Sequence, residues 1–256
     1  MSFNALVLAG SRGTADPVAV HAGVSDKALI EIDGRTMLAR VADALGAAGA
    51  ARIIASVSSD AVADHARSIG IEVRRAAPGP SRSVAEALDA IGTPLLVTTA
   101  DHALLRPEWV TNFLADAPAD ADVAVLLARR ETIDADVPGT TRTYLRFADG
   151  DWSGCNLFHF ASPRAVAATR LWQQVEADRK RPWRIVRRLG PGLLLRYLIR
   201  RLTLGEAVAH LGRVAGIEAA IVAARAGAAA VDVDKPADLA LVRRLIADQS
   251  DRAPFA

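Results

Sequence analysis

An α/β fold, with helices on both faces of a mostly parallel sheet in three layers, is what this chain predicts, on three observations. Strand-like runs rich in Val, Ile and Leu alternate with helix-like runs through the first half. Hydrophobic residues make up 51% of the chain but aromatics only 5%, with alanine abundant, a composition suited to helices packed on a doubly covered sheet. At 256 residues the chain can bury the core of one large domain, or of a domain carrying an insertion.

Strands are expected at 4–9, 52–58, 71–75, 94–99 and 122–128, and helices at 36–48, 60–69, 82–91 and 107–115. Asp60 and Ser81 or Ser83 stand where helix N-caps belong, and Pro107 suits a first helical turn. Residues 129–154 read as polar and irregular, with Pro138-Gly139 and Asp149-Gly150 as turn signals. A strand at 156–160 and a helix at about 163–179 follow. Further strands are expected near 217–222 and 228–232, and a helix from Pro236 to about 247 closes the chain.

Composition bounds the function. The net charge is +2 and the isoelectric point about 9.0, so the molecule as a whole is no polyanion binder, and no nucleic-acid partner is expected. The one cysteine, Cys155, excludes an internal disulfide and a cysteine-based zinc site. His21, His65, His102, His159 and His210 show no metal-ligand spacing. The first residues enter a strand without a charged-then-apolar leader, and no apolar run reaches about 18 to 20 residues. A cytoplasmic location is expected, peripheral to the inner membrane face if residues 179–202 contact lipid.

The most informative junction is the end of the first strand. Leu8-Ala9-Gly10-Ser11-Arg12-Gly13 is followed at a distance by Lys27-Ala28-Leu29 and then by Gly34-Arg35-Thr36-Met37-Leu38. Two glycines let backbone N–H groups approach an anion, through a missing Cβ and accessible positive φ, while Arg12 and Lys27 supply charge for a triphosphate. There is no Gly-Lys-Ser/Thr ending, and Gly10-x-x-Gly13 is too short for a dinucleotide fingerprint. The run resembles the N-terminal signature of the nucleotidyltransferases with a Rossmann-like NTP-transferase domain. That group includes the molybdenum-cofactor nucleotidyltransferases, the methylerythritol-phosphate cytidylyltransferases and the sugar-1-phosphate uridylyltransferases.

Three further segments carry the resemblance. Thr98-Thr99-Ala100-Asp101-His102, at the carboxyl end of a strand, is similar to the segment whose aspartate holds Mg²⁺ beside the α-phosphate. Val231-Asp232-Val233-Asp234-Lys235-Pro236-Ala237-Asp238-Leu239 is similar to the closing signature whose second aspartate completes that site. Asp238 reads as support for the first turn of the last helix. Arg82-Ser83-Val84 resembles a cytidylyltransferase segment that contacts the nucleotide, which tilts the base weakly towards cytosine; the other reading is a capped helix start. Gly154-Cys155-Asn156 falls where the family places its acceptor.

The resemblance therefore implies a single NTP-transferase domain over 1–256 of the nucleotide-diphospho-sugar transferase type, with a helical insertion at about 163–213. It implies Arg12 and Lys27 as catalytic cations and Leu8, Ala9, Gly10, Ser11, Gly13, Ser83 and Ala100 around the nucleotide. Gly154 and Asn156 would meet the acceptor, and Asp101 and Asp234 would hold Mg²⁺ as cofactor. The implied reaction moves a nucleoside monophosphate from an NTP to a phosphorylated or hydroxyl acceptor and releases pyrophosphate. A metal-dependent glycosyltransferase using a nucleotide sugar is the alternative, disfavoured by a cradle that serves a third phosphate.

Residues 179–213 stand apart. Arg179, Lys180, Arg181, Arg184, Arg187, Arg188, Arg196, Arg200 and Arg201 alternate with aliphatic residues and meet no acid before Glu206. Such a segment suits an anionic lipid surface, and with it a lipid-linked acceptor. A helical hairpin packed on the domain is the other reading.

Overall fold

A computed structural model describes residues 2–11, 16–177 and 190–252. They form two compact units, Met1–Ala76 with Thr98–Thr111 and Val231–Ala256, and Ala77–Val97 with Asn112–Ala230. The architecture is a mostly parallel mixed sheet flanked by helices, the α/β class expected.

In the first unit, β1 (Phe3–Ala9) runs parallel to β4 (Ala50–Val57), and β4 runs parallel to β5 (Glu72–Arg75). Phe3, Ala5, Leu6, Val7 and Ala9 of β1 are all buried, because side chains on both faces of this strand are covered. Between β1 and β4 lie α1 (Pro17–Ala22), a short hairpin of β2 (Glu31–Ile32) and β3 (Arg35–Thr36), and α2 (Met37–Ala47). Thr36 caps α2 by accepting from the Ala39 N–H at 3.1 Å, and Met37, Leu38, Val41 and Leu45 form its buried face. Helix α3 (Asp60–Ser68) is capped by Ser59, one residue before the expected Asp60, because the Ser59 hydroxyl reaches the Val62 N–H. Asp60 lies instead in the first turn, where its charge suits the helix dipole.

The second unit starts with α4 (Pro80–Ile91) and β6 (Leu95–Thr99), whose last two residues belong to the first unit. Neither Ser81 nor Ser83 caps α4; Gly79 holds that position without a side-chain bond. After α5 (Pro107–Asp116), β7 (Val123–Arg129) pairs in parallel with β10 (Ala219–Ala223). Between them in the chain come α6 (Arg130–Asp136), β8 (Leu145–Phe147) and the long β9 (Gly150–Phe160), which is antiparallel to β6, β7 and β8. The span read as irregular therefore holds a helix, a strand and the start of β9. Asp122 pins this sheet: its buried carboxylate accepts from the Glu218 N–H at 2.9 Å and from the Ser162 hydroxyl, with Arg164 at 3.6 Å. Burial alone would raise its pKa, but the hydrogen bonds and Arg164 overcome this and hold it below the usual aspartate value.

The strand expected near 228–232 is a single 3-10 turn, Gly227–Ala230. Gly227 lies against the Thr132–Ile133 backbone, where a Cβ would collide, and its N–H donates to Asp136 at 2.6 Å. An alanine run pinned this way has no β-branched side chain to favour extension.

The helical part of the second unit comprises a 3-10 turn (Pro163–Ala165), α7 (Val166–Ala177), α8 (Pro191–Leu198) and α9 (Leu204–Ala215). Arg179, Lys180, Arg181, Arg184, Arg187 and Arg188 lie outside the described residues. Tyr197 packs edge-on against Phe147 at 5.3 Å, and Leu202 and Leu204 are buried, so this end of the segment is anchored. Leu195, Leu198 and Ile199 are exposed. Among the described residues, no helix is long and apolar enough to cross a membrane.

Helix α9 opens with a reciprocal capping box: the Thr203 hydroxyl accepts from the Glu206 N–H, and the Glu206 carboxylate accepts from the Thr203 N–H. Arg196 adds an ion pair, and these bonds lower the Glu206 pKa from 4.5 to about 2. A depressed carboxylate pKa stabilises the fold above the unfolded value and ceases to do so as pH falls through the folded one. Glu206→Gln should therefore lower the unfolding midpoint above pH 4.5, and its difference from the parent should vanish as pH approaches about 2. Thermal unfolding followed across that range checks this.

Candidate active site

All of the site described here is built from the first unit. Strand β1 delivers Leu8 and Ala9 to its carboxyl end, followed by exposed Gly10 and Ser11. Gly10 does not use the positive-φ freedom expected of it; its missing Cβ makes room for Ala76, which an added methyl would meet at 3.3 Å. The Ser11 N–H donates to the Ser58 hydroxyl at 2.8 Å, tying the loop start to the end of β4. Arg12 and Gly13 lie outside the described residues.

Lys27 is set by what precedes it. Asp16 caps α1 through the Val18 and Ala19 N–H groups, and Gly23 ends that helix in the left-handed region. Lys27–Leu29 then form a 3-10 turn. Asp26, buried immediately before it, accepts from the Ser25 hydroxyl at 3.0 Å and the Ser59 hydroxyl at 2.9 Å. Because Ser59 also caps α3, the lysine turn is fastened to a helix start.

Two backbone hydrogen bonds bring the acids to it. The Ala100 N–H donates to the Leu8 carbonyl at 3.0 Å, and the Val233 N–H donates to the Asp101 carbonyl at 3.1 Å. Asp101 caps no helix, since α5 begins only at Pro107. The last helix, α10 (Pro236–Arg252), is opened by Asp238, whose carboxylate accepts from the Asp234 N–H at 3.1 Å and the Lys235 N–H at 2.9 Å. That is the support expected of Asp238, and it fixes the backbone from which Asp234 projects.

The outcome is a shared cation. Lys27 Nζ lies 2.6 Å from Asp101 Oδ2 and 3.5 Å from Asp234 Oδ1. The Lys27 and Asp101 side chains are only 23% and 15% exposed, while Asp234 is 62% exposed and forms the open side. Burial, the largest influence, pulls the Lys27 pKa down, but attraction to Asp101, with Asp234 and Asp16 adding, reverses this and raises it above 10.5. Asp234 moves up from the ordinary carboxylate range, chiefly by desolvation and then by repulsion from Asp232, with Lys27 opposing. Asp234 therefore takes up a proton at higher pH than an ordinary aspartate, and acid weakens this end of the cluster early.

A hard divalent cation fits this donor set. Asp101 Oδ1 is buried and hydrogen-bonded to nothing among the described residues, as is Thr99 Oγ1 on the strand that leads to it. No group of three or more His, Cys, Asp or Glu side chains suited to a metal occurs among those residues. Two carboxylates match an ion such as Mg²⁺, which is held by one or two of them and completes its shell from waters and substrate phosphates.

The remaining expected residues lie in the second unit. Ser83 is buried, and its hydroxyl accepts from the Ala77 N–H at 3.0 Å, holding the turn before α4. Neighbouring Ser81 donates to Glu176 at 2.6 Å and fastens α4 to α7. Gly154 and Asn156 lie on β9 at an irregularity: Val125 pairs with Phe158 and Leu127 with Gly154, so three residues of β9 oppose one of β7. Asn156 takes φ +51° there, a left-handed conformation that asparagine tolerates better than most residues. Cys155 is buried. His102 is buried as well, stacked on Trp109. Sequence reasoning missed Asp26; the Ser25-Asp26 pair just before Lys27 was the available signal.

The sequence profile of the MobA-like NTP transferase domain matches residues 5–193. Among solved structures, a hypothetical transferase from Thermus thermophilus is 31% identical with a TM-score of 0.79, covering 93% of this chain and 100% of its own. A nucleotidyl transferase from Methanothermobacter thermautotrophicus has 16% identity and a TM-score of 0.56, covering 97% of this chain and 99% of its own. CMP:2-keto-3-deoxy-manno-octonic acid synthetase, complexed with CTP, has 18% identity and a TM-score of 0.56, covering 96% and 99% respectively. The last two share the fold with this chain. No curated protein sequence matches it.

Substitutions at two positions, one beneath the Lys27 turn and one on β9, test these local readings. Asp26→Ala leaves two hydroxyl donors without an acceptor and should lower stability by about 1–3 kcal/mol in urea unfolding. Asn156→Val, forced to the same positive φ, should be about 1–2 kcal/mol less stable than Asn156→Gly in the same measurement.

Proposed function

The chain belongs to the family of MobA-like NTP transferase domains and is a nucleotidyltransferase, and from that premise we propose that it moves a nucleoside monophosphate from an NTP, with CTP weakly favoured, to an acceptor phosphate or hydroxyl with release of pyrophosphate. The observation that carries this reading is the convergence of Asp101 and Asp234 on Lys27 at the carboxyl end of the sheet. In this proposal the acceptor oxygen attacks the α-phosphorus in line, and the bond to the bridging oxygen of pyrophosphate breaks. Asp101 and Asp234 would hold Mg²⁺, which when bound would supply positive charge to the α-phosphate and the leaving group. Lys27 and Arg12 neutralise the phosphates, and Leu8, Ala9, Gly10, Ser11, Gly13 and Ala100 line the nucleotide as backbone and small side chains. Ser83 belongs to the nucleotide-binding residues of this proposal, and Gly154 and Asn156 to its acceptor-binding ones. An ionised phosphate acceptor needs no general base, which accords with a chemistry of positioning and electrostatics. The whole chain, 1–256, acts as one NTP-transferase domain with a helical insertion at about 163–213.

We read the acceptor as lipid-linked. Exposed Leu195, Leu198 and Ile199 stand beside exposed Arg196, Arg200 and Arg201, an apolar and cationic combination that suits an anionic bilayer surface and a cytoplasmic, membrane-peripheral protein.

Each NTP with Mg²⁺ and a panel of phosphorylated acceptors, followed by pyrophosphate release, tests the reaction. Pyrophosphate should appear only with NTP and acceptor together, fastest with CTP. Release of a nucleoside diphosphate from a nucleotide sugar would overturn the reading in favour of glycosyl transfer. Asp101→Asn should lower kcat/KM by about 100-fold or more, as loss of a group that organises transition-state charge does. Changing Leu195, Leu198 and Ile199 together to serine should reduce co-sedimentation with anionic vesicles; unchanged sedimentation would remove the lipid reading while leaving nucleotidyl transfer intact.

A further inference from the structure

Lys27 is more than a basic residue near a phosphate loop. Among the described residues it is the only hydrogen-bond donor to the Asp101 carboxylate, at 2.6 Å, and it also reaches Asp234 at 3.5 Å. Its ammonium lies between the two groups assigned above to the metal. One positive charge against two negative ones leaves the cluster with a net deficit of one, less attractive to a divalent cation than the bare pair. Repulsion between that cation and an ammonium held at the same oxygens opposes its entry further, in a pocket where water screens poorly. The carboxylates in turn would repel a polyphosphate brought alone to Lys27, since it would strip them of the one cation that pairs with them among the described residues.

The lysine can change partners without disturbing the fold. Its backbone is fixed by the Asp26–Ser59 fastening, whereas its charge sits at the end of a flexible four-carbon stem. From this geometry we infer that Lys27 is the internal counter-ion of the Asp101–Asp234 pair, and that it is exchanged for a divalent cation only as a triphosphate draws its ammonium away. Metal and nucleotide then enter as mutually dependent ligands. By linkage, each tightens the other by one and the same factor, because both act on one ammonium. The inference rests on the reading that Asp101 and Asp234 receive the metal.

Mn²⁺ binding, read by the electron paramagnetic resonance of the free ion, tests it without turnover. Lys27→Met should bind Mn²⁺ alone about tenfold tighter than the parent. A non-hydrolysable CTP analogue should tighten Mn²⁺ markedly in the parent and much less in the variant. Adding Asp101→Asn to Lys27→Met should return Mn²⁺ binding to background. Lys27→Gln, followed by the rise in Tm that Mn²⁺ produces, gives the same comparison should the methionine variant fold poorly; the rise should be larger in the variant than in the parent. Equal Mn²⁺ affinity of parent and Lys27 variants without nucleotide overturns the exchange, and so does a parent that binds Mn²⁺ equally well with and without the analogue. Failure of the nucleotidyl-transfer reading would appear elsewhere, as no pyrophosphate release by the parent, whereas the metal-only comparison requires no nucleotide.

Discussion

Two carboxylates and one ammonium, drawn from positions 27, 101 and 234, constrain everything around them. Like charges converge in a half-buried place only if the backbone compels them and an opposite charge relieves them. Here the compulsion comes from ladder-like bonds: Ala100 to Leu8 and Val233 to Asp101 place the two acid-bearing turns beside the end of β1. Asp238 then removes the freedom of the chain at Asp234 by tying down the N–H groups at the start of α10. The relief is Lys27.

The supporting layer is polar and largely made of short side chains. Asp26, Ser25, Ser58 and Ser59 connect the lysine turn, the loop after β1 and the start of α3 by hydroxyl hydrogen bonds. Such bonds are directional, so they fix where a turn points more tightly than apolar contact does. A site of this kind holds its geometry through the chain segments that present the charges, and leaves the charged tips themselves free to change partner.

Much of this was legible in the sequence, for reasons that differ by element. Strands β1, β4, β6 and β7 announce themselves as contiguous apolar runs, and the motifs around Lys27, Asp101 and Asp234 are local, so their residues could be named before their meeting was seen. Asp26 was missed because, beyond its adjacent Ser25, the partner that gives it a role is Ser59 in another segment. The length of β9 was hidden because Asp151, Ser153, Gly154 and Asn156 interrupt its apolar alternation. The stretch before Asp234 looked like a strand because alanine and valine carry no mark of the backbone contact that Gly227 makes. In each case the missing information was a tertiary contact, which overrides local preference.

The irregularity in β9 has a consequence for insertions and deletions. Register shifts from Val125–Phe158 to Leu127–Gly154, so the longer strand gains an even number of residues, two, over its neighbour. Parity is thereby conserved, and Trp152, beyond the kink, still faces inwards beneath the Arg129 guanidinium. Excising a single residue there would turn the side chains of residues 158–160 to the opposite face relative to Trp152, whereas excising a pair would merely straighten the ribbon. Length variation at this point of the chain is therefore quantised in twos.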